Sequence, residues 1–360
     1  MDKYTKNFKA KGKYIYPGGW QKGAMVIQND YLWIVHGHLN ILFKINTLTG
    51  EVIEEKIIDD EISVTVCSYS NLIMIDKLLY LIPYSSQGIK VYDIEKNIFR
   101  KYSDDDLSCI TNIQHIVKIN KYQYCLIDHK CEEDILIVDL CKRMIVNKIH
   151  TGLDAENKNC FGATYSVINE KVYLPMYVLS DERVDKTIGE IDIKQGCFTR
   201  VYLTGDIKGL EDFAVVGDQA YFSGAYNLVT YIFDKKTWVL KETIEHRKRI
   251  LGIAQEKIVL EDYENGDIFL LDNKCMKKVF ISNPDVFYKG CRYASTFSEI
   301  KDGYLIFQRK SGSILIFSKK WKLVRVFNPN YCMSNSSLLV EGNTYCESFF
   351  LDLNDFIDMA

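Results

Sequence analysis

Two histidines stand one residue apart in the sequence, a spacing from which metal chemistry could arise. His36 and His38 flank Gly37. In an extended chain, residues two positions apart lie on the same side, so both imidazoles could reach one ion. A zinc site needs at least one further ligand, and this loop contains no acidic residue to orient either ring. The spacing therefore favours a plain turn, with ligand contact as the second interpretation, and predicts no metal site.

The loop of residues 262–267, DYENGD, has a faint similarity to a calcium-binding loop. It lacks the glutamate that should close such a loop. Asn265 and Gly266 lie between two apolar segments, which is a strong signal for a β-hairpin. The sequence contains no nucleophile-elbow, Walker or dinucleotide-binding motif. It therefore identifies no reaction, and no cofactor is predicted.

Composition limits the class of protein and of partner. The chain has 360 residues, 47% of them hydrophobic, and a formal net charge of −3, which gives no electrostatic reason to expect nucleic acid. No apolar run is long enough to span a membrane, and no secretory signal precedes the first strands. The 11 cysteines include no C-x-x-C pair. We therefore expect reduced thiols, a cytoplasmic location and no membrane partner.

One pattern returns along almost the whole chain. Segments of alternating apolar residues, for example 24–28, 31–35, 40–45 and 51–58, are separated by short polar turns. In each repeat a short polar residue ends the third segment, and consecutive members of this set lie 38 to 53 residues apart: Asn46, Asp93, Asp139, Asp192, Asp234, Asp272 and Ser318. These side chains can accept hydrogen bonds from the following backbone and so close the turn into the next strand.

The repeat predicts an all-β propeller of four-stranded antiparallel blades, without helices of ten or more residues. A mean period of about 45 residues is typical of such blades. Seven complete blades fit residues 23–327, and the remaining segments, 4–16 and 336–351, could form an eighth. We predict a single domain over residues 1–360, closed by pairing of the N- and C-terminal strands, because closure removes exposed sheet edges. Eight blades are slightly favoured over seven.

In this period and strand order the chain resembles the β-propeller superfamily, broadly the kelch-like and WD40-like proteins. The resemblance covers nearly the whole chain, but the sequence departs from the motifs that characterise these two families. The WD dipeptide with its Gly-His partner is missing, and the double glycine of kelch repeats occurs once, at Gly18 and Gly19. The resemblance implies the superfamily and no specific family, and propellers serve as enzymes, sugar binders and protein scaffolds alike.

Within a propeller, the loops between the second and third strands share one face with the loops that link blades. These loops supply aromatic and hydrogen-bonding residues, and the candidate ligand-binding residues on this face are His36, His38, Tyr84, His129, Tyr177, Tyr226, Asp262, Tyr263, Arg309, Tyr69, Tyr165, Glu211, Asp212 and Arg292. With 24 tyrosines in the chain, such a set also arises by abundance alone.

Two functions remain open from the sequence. The first is a non-catalytic binding propeller, a monomer that presents this face to a protein or carbohydrate ligand. The alternative is an enzyme that acts on a carbohydrate or small metabolite at the mouth of the central channel, with Glu211, Asp212 or Asp262 as its acids. A titrating carboxylate buried beside an arginine in a deep central pocket would favour the enzyme, and a broad, shallow, aromatic face would favour the binder.

Overall fold

The computed structural model describes most of the chain between residues 24 and 327. The described ranges are 24–35, 40–58, 68–102, 105–131, 133–153, 159–162, 164–178, 186–207, 210–224, 229–246, 248–262, 264–272, 275–281, 296–300, 302–308 and 313–327. Within these ranges the regular structure consists of 29 β-strands and no helix. The predicted all-β class is therefore confirmed, and this part of the chain contains no helix that could cross a membrane.

The chain divides into two units, of which the first comprises Met1–Ile113 and Asn283–Ala360. Its described residues form three antiparallel sheets, each with its strands in chain order. Blade 1 contains β1 (Met25–Gln28), β2 (Tyr31–Val35), β3 (Ile41–Asn46) and β4 (Val52–Ile57). Blade 2 contains β5 (Tyr69–Ile75), β6 (Leu78–Pro83), β7 (Lys90–Asp93) and β8 (Ile98–Arg100).

The second unit comprises Gln114–Ser282 and holds four further sheets. Blade 3 contains β9 (Ile113–Lys118), β10 (Gln123–Asp128), β11 (Ile135–Asp139) and β12 (Met144–Ile149). Blade 4 contains β13 (Asn159–Phe161), β14 (Ser166–Ile168), β15 (Lys171–Val178), β16 (Thr187–Asp192) and β17 (Cys197–Tyr202). Its inner strand is divided, because β13 and β14 pair with opposite ends of β15.

The last blades follow the same plan. Blade 5 contains β18 (Leu210–Val216), β19 (Gln219–Gly224), β20 (Val229–Asp234) and β21 (Leu240–Glu245). Blade 6 contains β22 (Lys248–Ala254), β23 (Lys257–Asp262), β24 (Ile268–Asp272) and β25 (Cys275–Phe280). Blade 7, which belongs to the first unit, contains β26 (Thr296–Ile300), β27 (Gly303–Gln308), β28 (Ser313–Ser318) and β29 (Leu323–Phe327).

The described residues thus form seven propeller blades, where the sequence slightly favoured eight. Every one of the seven complete repeats forms its own sheet, so the repeat accounts for all the described strands. The segments assigned to an eighth blade, residues 4–16 and 336–351, lie outside the described residues, as does the predicted pairing of the terminal strands.

The position of each strand in its blade follows from its side chains. Middle strands are apolar on both faces, as in β27, which is buried along its whole length. Outer strands alternate between exposed and half-buried residues, as in β21, because one face meets solvent. Strands of β-branched and aromatic residues suit this pleated, half-buried surface.

Within each unit the blades bury apolar faces against their neighbours. In the first unit, Leu305 and Phe307 of blade 7 join Leu32 and Phe43 of blade 1 in one cluster. In the second unit, continuous clusters join blade 3 to blade 4, blade 4 to blade 5, and blade 5 to blade 6. Burial of this apolar surface, at roughly 25 cal/mol per Å², stabilises the blade-to-blade packing.

The polar residues that end the third strands close the turns as the sequence predicted. Asp139 Oδ1 accepts the N–H of Lys142 at 2.9 Å, and Asp192 Oδ1 accepts that of Gln195 at 2.8 Å. The same role is filled by Asn46, Asp93, Asp234 and the Ser318 hydroxyl. Residues 273 and 274, which follow Asp272 in this turn, lie outside the described residues.

Candidate functional site

The structure describes part of the face that the sequence predicted to bind a ligand. His36, His38, Tyr226, Tyr263, Arg292 and Arg309 lie outside the described residues, and for Tyr177 and Glu211 only the backbone is described. The other candidates lie at the start of a first strand or at the end of a second strand: Tyr69, Tyr84, His129, Tyr165, Asp212 and Asp262. The two units are considered separately below.

In the first unit, the two tyrosines of blade 2 differ in environment. Tyr69 begins β5 and is buried among residues such as Trp33 and Leu42. Tyr84 directly follows β6, where its N–H donates to the Ser68 carbonyl at 2.9 Å and its carbonyl accepts the Asn112 N–H at 2.8 Å. Tyr69 therefore contributes to the core between blades 1 and 2, whereas Tyr84 keeps a half-buried side chain at the loop.

In the second unit, His129 is held by the neighbouring inner strand of its own blade. Its Nδ1 lies 2.5 Å from Oε1 of Gln114 on β9, so the ring donates to the amide oxygen. Burial, together with the positive charge of Lys130, lowers the pKa of His129 below its usual value. A neutral imidazole with its proton on Nδ1 follows from this arrangement.

Asp128, the last residue of β10, is a titratable group that the sequence analysis missed. Its side chain is buried, and Oδ1 accepts the N–H of Lys130 at 2.8 Å. Burial raises the pKa of Asp128 to about 6, and the negative charge of Glu133 adds to the effect. Asp262 occupies the equivalent position at the end of the second strand of blade 6, where it accepts the N–H of Glu264 at 3.0 Å. An aspartate at this shared turn position is the sequence signal that could have identified Asp128.

Two aromatic side chains join blade 3 to blade 4. The Nε2 of His115 lies 2.7 Å from the Gly162 carbonyl, and the Tyr165 hydroxyl donates to the Ile116 carbonyl at 2.7 Å. The rings of His115 and Tyr165 meet edge to face with centroids 5.5 Å apart. Burial raises the pKa of Tyr165 to about 12. Gly162 and Tyr165 lie where the inner strand of blade 4 is divided, so the interruption frees these groups to reach blade 3.

Asp212 is buried between blade 5 and blade 6. Its Oδ2 lies 3.0 Å from Nε of Arg249 on β22 and accepts the Ser223 hydroxyl at 2.8 Å. The Ser223 oxygen in turn accepts the backbone N–H of Ile250 at 3.3 Å. The carboxylate is therefore fully engaged by one guanidinium and one hydroxyl. Charge-assisted bonds of this kind are shorter and stronger than neutral ones.

Asp262 closes the hairpin that the sequence predicted after β23. Gly266 donates its N–H to the Asp262 carbonyl at 2.9 Å, with a backbone φ of 75° that glycine adopts without strain. The second carboxylate oxygen of Asp262 lies 3.3 Å from Nζ of Lys248, which also lies 4.6 Å from the centre of the Phe269 ring. The hairpin is confirmed, and the side chain of Asp262 has a role in holding it.

Beside this hairpin, His246 contacts a buried hydroxyl. Its Nε2 lies 3.1 Å from Oγ1 of Thr230, which is completely buried. Burial, together with the charge of Lys248, lowers the pKa of His246 to about 4. The ring is therefore neutral at physiological pH.

Several of the described polar side chains at this face join strands or blades. His129 contacts Gln114, Tyr165 donates to the Ile116 carbonyl, and Asp212 pairs with Arg249, as is usual for buried polar groups. Across the described ranges, no three His, Cys, Asp or Glu side chains converge as a metal ion would require. Asp128 differs from the others, because burial raises the pKa of its carboxyl to about 6.

No protein-family model matches the sequence, and no curated protein matches it either. Solved structures match the fold. BamB from Moraxella catarrhalis has a TM-score of 0.51 and 12% identity, over 83% of this chain and 84% of that chain. U3-55K has a TM-score of 0.53 and 7% identity, over 82% and 90% respectively. PorZ, a surface component of the type-IX secretion system of Porphyromonas gingivalis, has a TM-score of 0.52 and 10% identity, over 88% and 39%.

At these identities the likeness concerns the fold alone. The structural neighbours are propeller proteins, and the chain shares their blade architecture. The propeller fold that the sequence predicted is thereby confirmed, and no specific family is assigned.

Proposed function

We propose that this protein is a non-catalytic binding propeller whose ligand, a protein or a glycan, contacts the loops after the second strand of each blade. The observation that carries the proposal is that polar side chains at this face are held by hydrogen bonds to other residues of the protein. Asp212 is bound by Arg249 and Ser223, and His129 by Gln114. Groups engaged in this way hold a fixed surface and are not available to exchange protons with a substrate.

A rigid surface favours binding because less conformational entropy is lost when the ligand docks. The inner strands of blades 3 to 6 are tied to one another by hydrogen bonds directly beneath these loops. PorZ, one of the propellers similar in fold, is a component of a secretion system. This likeness supports a scaffold role by analogy only.

The proposal is tested by presenting the full chain to arrays of glycans and of peptides. Any ligand is then measured against Tyr84→Ala and His129→Ala, which alter the loop face. The control variants are Gln195→Ala and Lys236→Ala, in turns between third and fourth strands at the opposite ends of their blades. We expect the loop variants to weaken binding by about tenfold or more, as hot-spot truncations do. Loss of binding in the control variants alone would contradict the proposal.

A second candidate function has one observation in its favour. Asp128 is a buried carboxyl whose pKa is about 6, and it adjoins His129 at the predicted face. Perturbed carboxyls of this kind are frequent in active sites. The alternative is therefore an enzyme that uses Asp128 as a general acid or base on a carbohydrate or small metabolite.

The two functions are distinguished with Asp128→Asn, which keeps the acceptor for the Lys130 N–H and removes the ionisable proton. The binding function predicts that ligand affinity is retained. The enzymatic function predicts that turnover of a panel of aryl glycosides or esters, if observed, falls by about a hundredfold or more. Turnover that survives this substitution would exclude Asp128 as the catalytic group.

A further inference from the structure

The hairpin after β23 contains the one Asn-Gly pair of the sequence, Asn265 and Gly266. An asparagine that precedes a glycine is prone to deamidation, because the glycine nitrogen can attack the side-chain amide without hindrance from a side chain of its own. In the hairpin Asn265 is exposed, so water reaches its amide, whereas Gly266 is buried behind it. The reactivity of this pair therefore depends on how the turn holds the two groups.

The side-chain amide of Asn265 is held in a fixed orientation. Its Oδ1 accepts the N–H of Asp267 at 2.8 Å. When a nitrogen attacks Cγ, negative charge develops on this oxygen, and a hydrogen-bond donor already in place stabilises that charge. The carboxylate of Asp267 is paired with Nζ of Lys278 at 2.6 Å, which limits its repulsion of the same charge. The turn thus activates the amide of Asn265 for attack.

The nitrogen that would attack is restrained by a hydrogen bond. The Gly266 N–H donates to the Asp262 carbonyl at 2.9 Å, and it must leave this acceptor before it can lose its proton. The side chain of Asp262 closes the same turn, because its Oδ1 accepts the N–H of Glu264 at 3.0 Å and that of Asn265 at 3.3 Å. One turn therefore activates the amide and also restrains its nucleophile.

We propose that Asn265 is a site of slow, spontaneous deamidation, whose rate is limited by the breaking of the hydrogen bond between Gly266 and Asp262. The Gly266 nitrogen forms a bond to Cγ of Asn265, the bond from Cγ to Nδ2 breaks, and ammonia leaves with the proton from Gly266. Water then opens the cyclic imide at either carbonyl. The products are aspartate with the original backbone and isoaspartate, whose backbone runs through Cβ and Cγ.

Either product changes the loop between the second and third strands of blade 6. Aspartate adds a negative charge to a turn that already contains Asp262, Glu264 and Asp267. Like charges at this spacing repel one another, so the added charge weakens the turn. Isoaspartate also lengthens the backbone of the turn. The loop belongs to the face of the proposed function, but the modification is measured without any ligand, so either proposal can fail alone.

The test incubates the full chain at physiological temperature and pH in water enriched in oxygen-18, which labels the product of hydrolysis. Peptide mapping by mass spectrometry locates the label, and the chain kept in guanidinium chloride gives the rate without the turn. We expect labelled aspartate and isoaspartate at position 265, formed in the folded chain about tenfold or more slowly than in the denatured chain. Equal rates in the two states, or no product at position 265 of the folded chain, would overturn the proposal.

Two substitutions of Asp262 test the restraint. Asp262→Ala removes the oxygen that accepts the N–H groups of Glu264 and Asn265, so the turn should open more often and deamidation should accelerate about threefold or more. Asp262→Asn is the matched control, because it keeps this oxygen, and it should react within about twofold of the native chain. Circular dichroism confirms that each variant is folded. An unchanged rate in a folded Asp262→Ala variant would contradict the restraint.

Two further measurements do not depend on the Asp262 variants. Asn265→Gln lengthens the side chain by one methylene group and closes the ring far more slowly, so it should leave no label at this position. A label that persists in this variant would show that oxygen enters by another route. Hydrogen exchange of the Gly266 amide, followed by NMR in the native chain, reports how often its bond to Asp262 breaks. An amide that exchanges as fast as in the denatured chain would refute the restraint.

Discussion

The Asp212 carboxylate and the Arg249 guanidinium form an ion pair between the inner strands of blades 5 and 6, with Oδ2 and Nε 3.0 Å apart. Both side chains are almost completely removed from solvent. Taking two charges out of water is costly, and the cost is recovered only when each charge has partners in good geometry. The Ser223 hydroxyl supplies a further bond to the same carboxylate oxygen. The pair therefore holds blades 5 and 6 together. Removal of either side chain alone should lower the free energy of unfolding.

Asp212→Ala should lower the free energy of unfolding by about 3–5 kcal/mol, because it removes the carboxylate that pairs with the buried Arg249 charge. The double variant Asp212→Leu with Arg249→Met should lose less than the single variant, since neither charge of this pair then has to be desolvated. Unfolding in guanidinium chloride measures both. The control is Glu95→Gln, which breaks the exposed 3.3 Å pair with Lys77 and should cost within about 1 kcal/mol. Equal losses in single and double variants would contradict this interpretation.

The blade repeat could be predicted from the sequence because its signals are local. Alternating apolar residues and a polar residue at the end of each third strand lie within a single repeat, and the structure confirms both. Blade 1 illustrates the precision, since the expected segments at 24–28 and 31–35 are the strands Met25–Gln28 and Tyr31–Val35. The number of blades was less certain, because it depended on weak patterns near the two ends of the chain.

The contacts of the candidate residues could not be predicted, because they depend on neighbours from other blades. Asp212 was chosen as a potential catalytic acid, yet its partner, Arg249, lies 37 residues away on the next blade. Asp128 was missed because its raised pKa is caused by burial. Burial depends on how the blades pack, which the local sequence does not reveal.

The turn residues Asp93 and Asp234 should make stability depend on acid pH. Hydrogen bonds from Arg100 and Lys241, aided by backbone N–H groups, lower the pKa of these carboxyls below the ordinary 3.8. As the pH falls, the unfolded chain takes up these protons first. Their stabilisation is therefore complete above about pH 4 and is lost as the pH falls through the lowered folded-state pKa.

In the double variant Asp93→Asn with Asp234→Asn, the free energy of unfolding should fall less steeply between about pH 4 and pH 2 than in the native chain. Urea unfolding at a series of pH values measures the slope. Asp218→Asn is the control, because that carboxylate is exposed and its side chain pairs with Lys236 at 3.5 Å without closing a turn. A slope unchanged in the double variant would show that the turns do not contribute.

Gly303 should tolerate no larger side chain. A Cβ at this position would lie 1.8 Å from the carbonyl oxygen of Phe317, on the adjacent strand β28. Because the obstacle is backbone, Gly303→Ala must displace the pairing of β27 with β28 and should cost about 3 kcal/mol or more. Gly217→Ala is the matched control: its Cβ would meet no atom within 4 Å, and only its φ of 57° opposes alanine, at about 1–2 kcal/mol. Thermal unfolding of both variants should rank them in this order, and the reverse order would contradict the packing argument.

Asp128 should affect stability in the opposite sense to the turn residues. Burial raises the pKa of its carboxyl from 3.8 to about 6, so between these values the folded chain holds a proton that the unfolded chain has released. Stability therefore falls as the pH rises through this window, and the full penalty is present above about pH 6. A shift of about two units corresponds to roughly 3 kcal/mol at most.

Asp128→Asn removes this penalty and keeps the oxygen that accepts the Lys130 N–H. The free energy of unfolding should rise by on the order of 2 kcal/mol at pH 7 and change little at pH 4. Asp128→Ala separates the two effects, because it removes the charge and the acceptor together and should lower stability at pH 4 by about 1 kcal/mol. Urea unfolding of the three proteins at both pH values provides the comparison. If Asp128→Asn were destabilised at pH 7, the carboxyl would have to be ionised and favourably bound in the folded chain, and its use as a proton donor near neutral pH would be excluded.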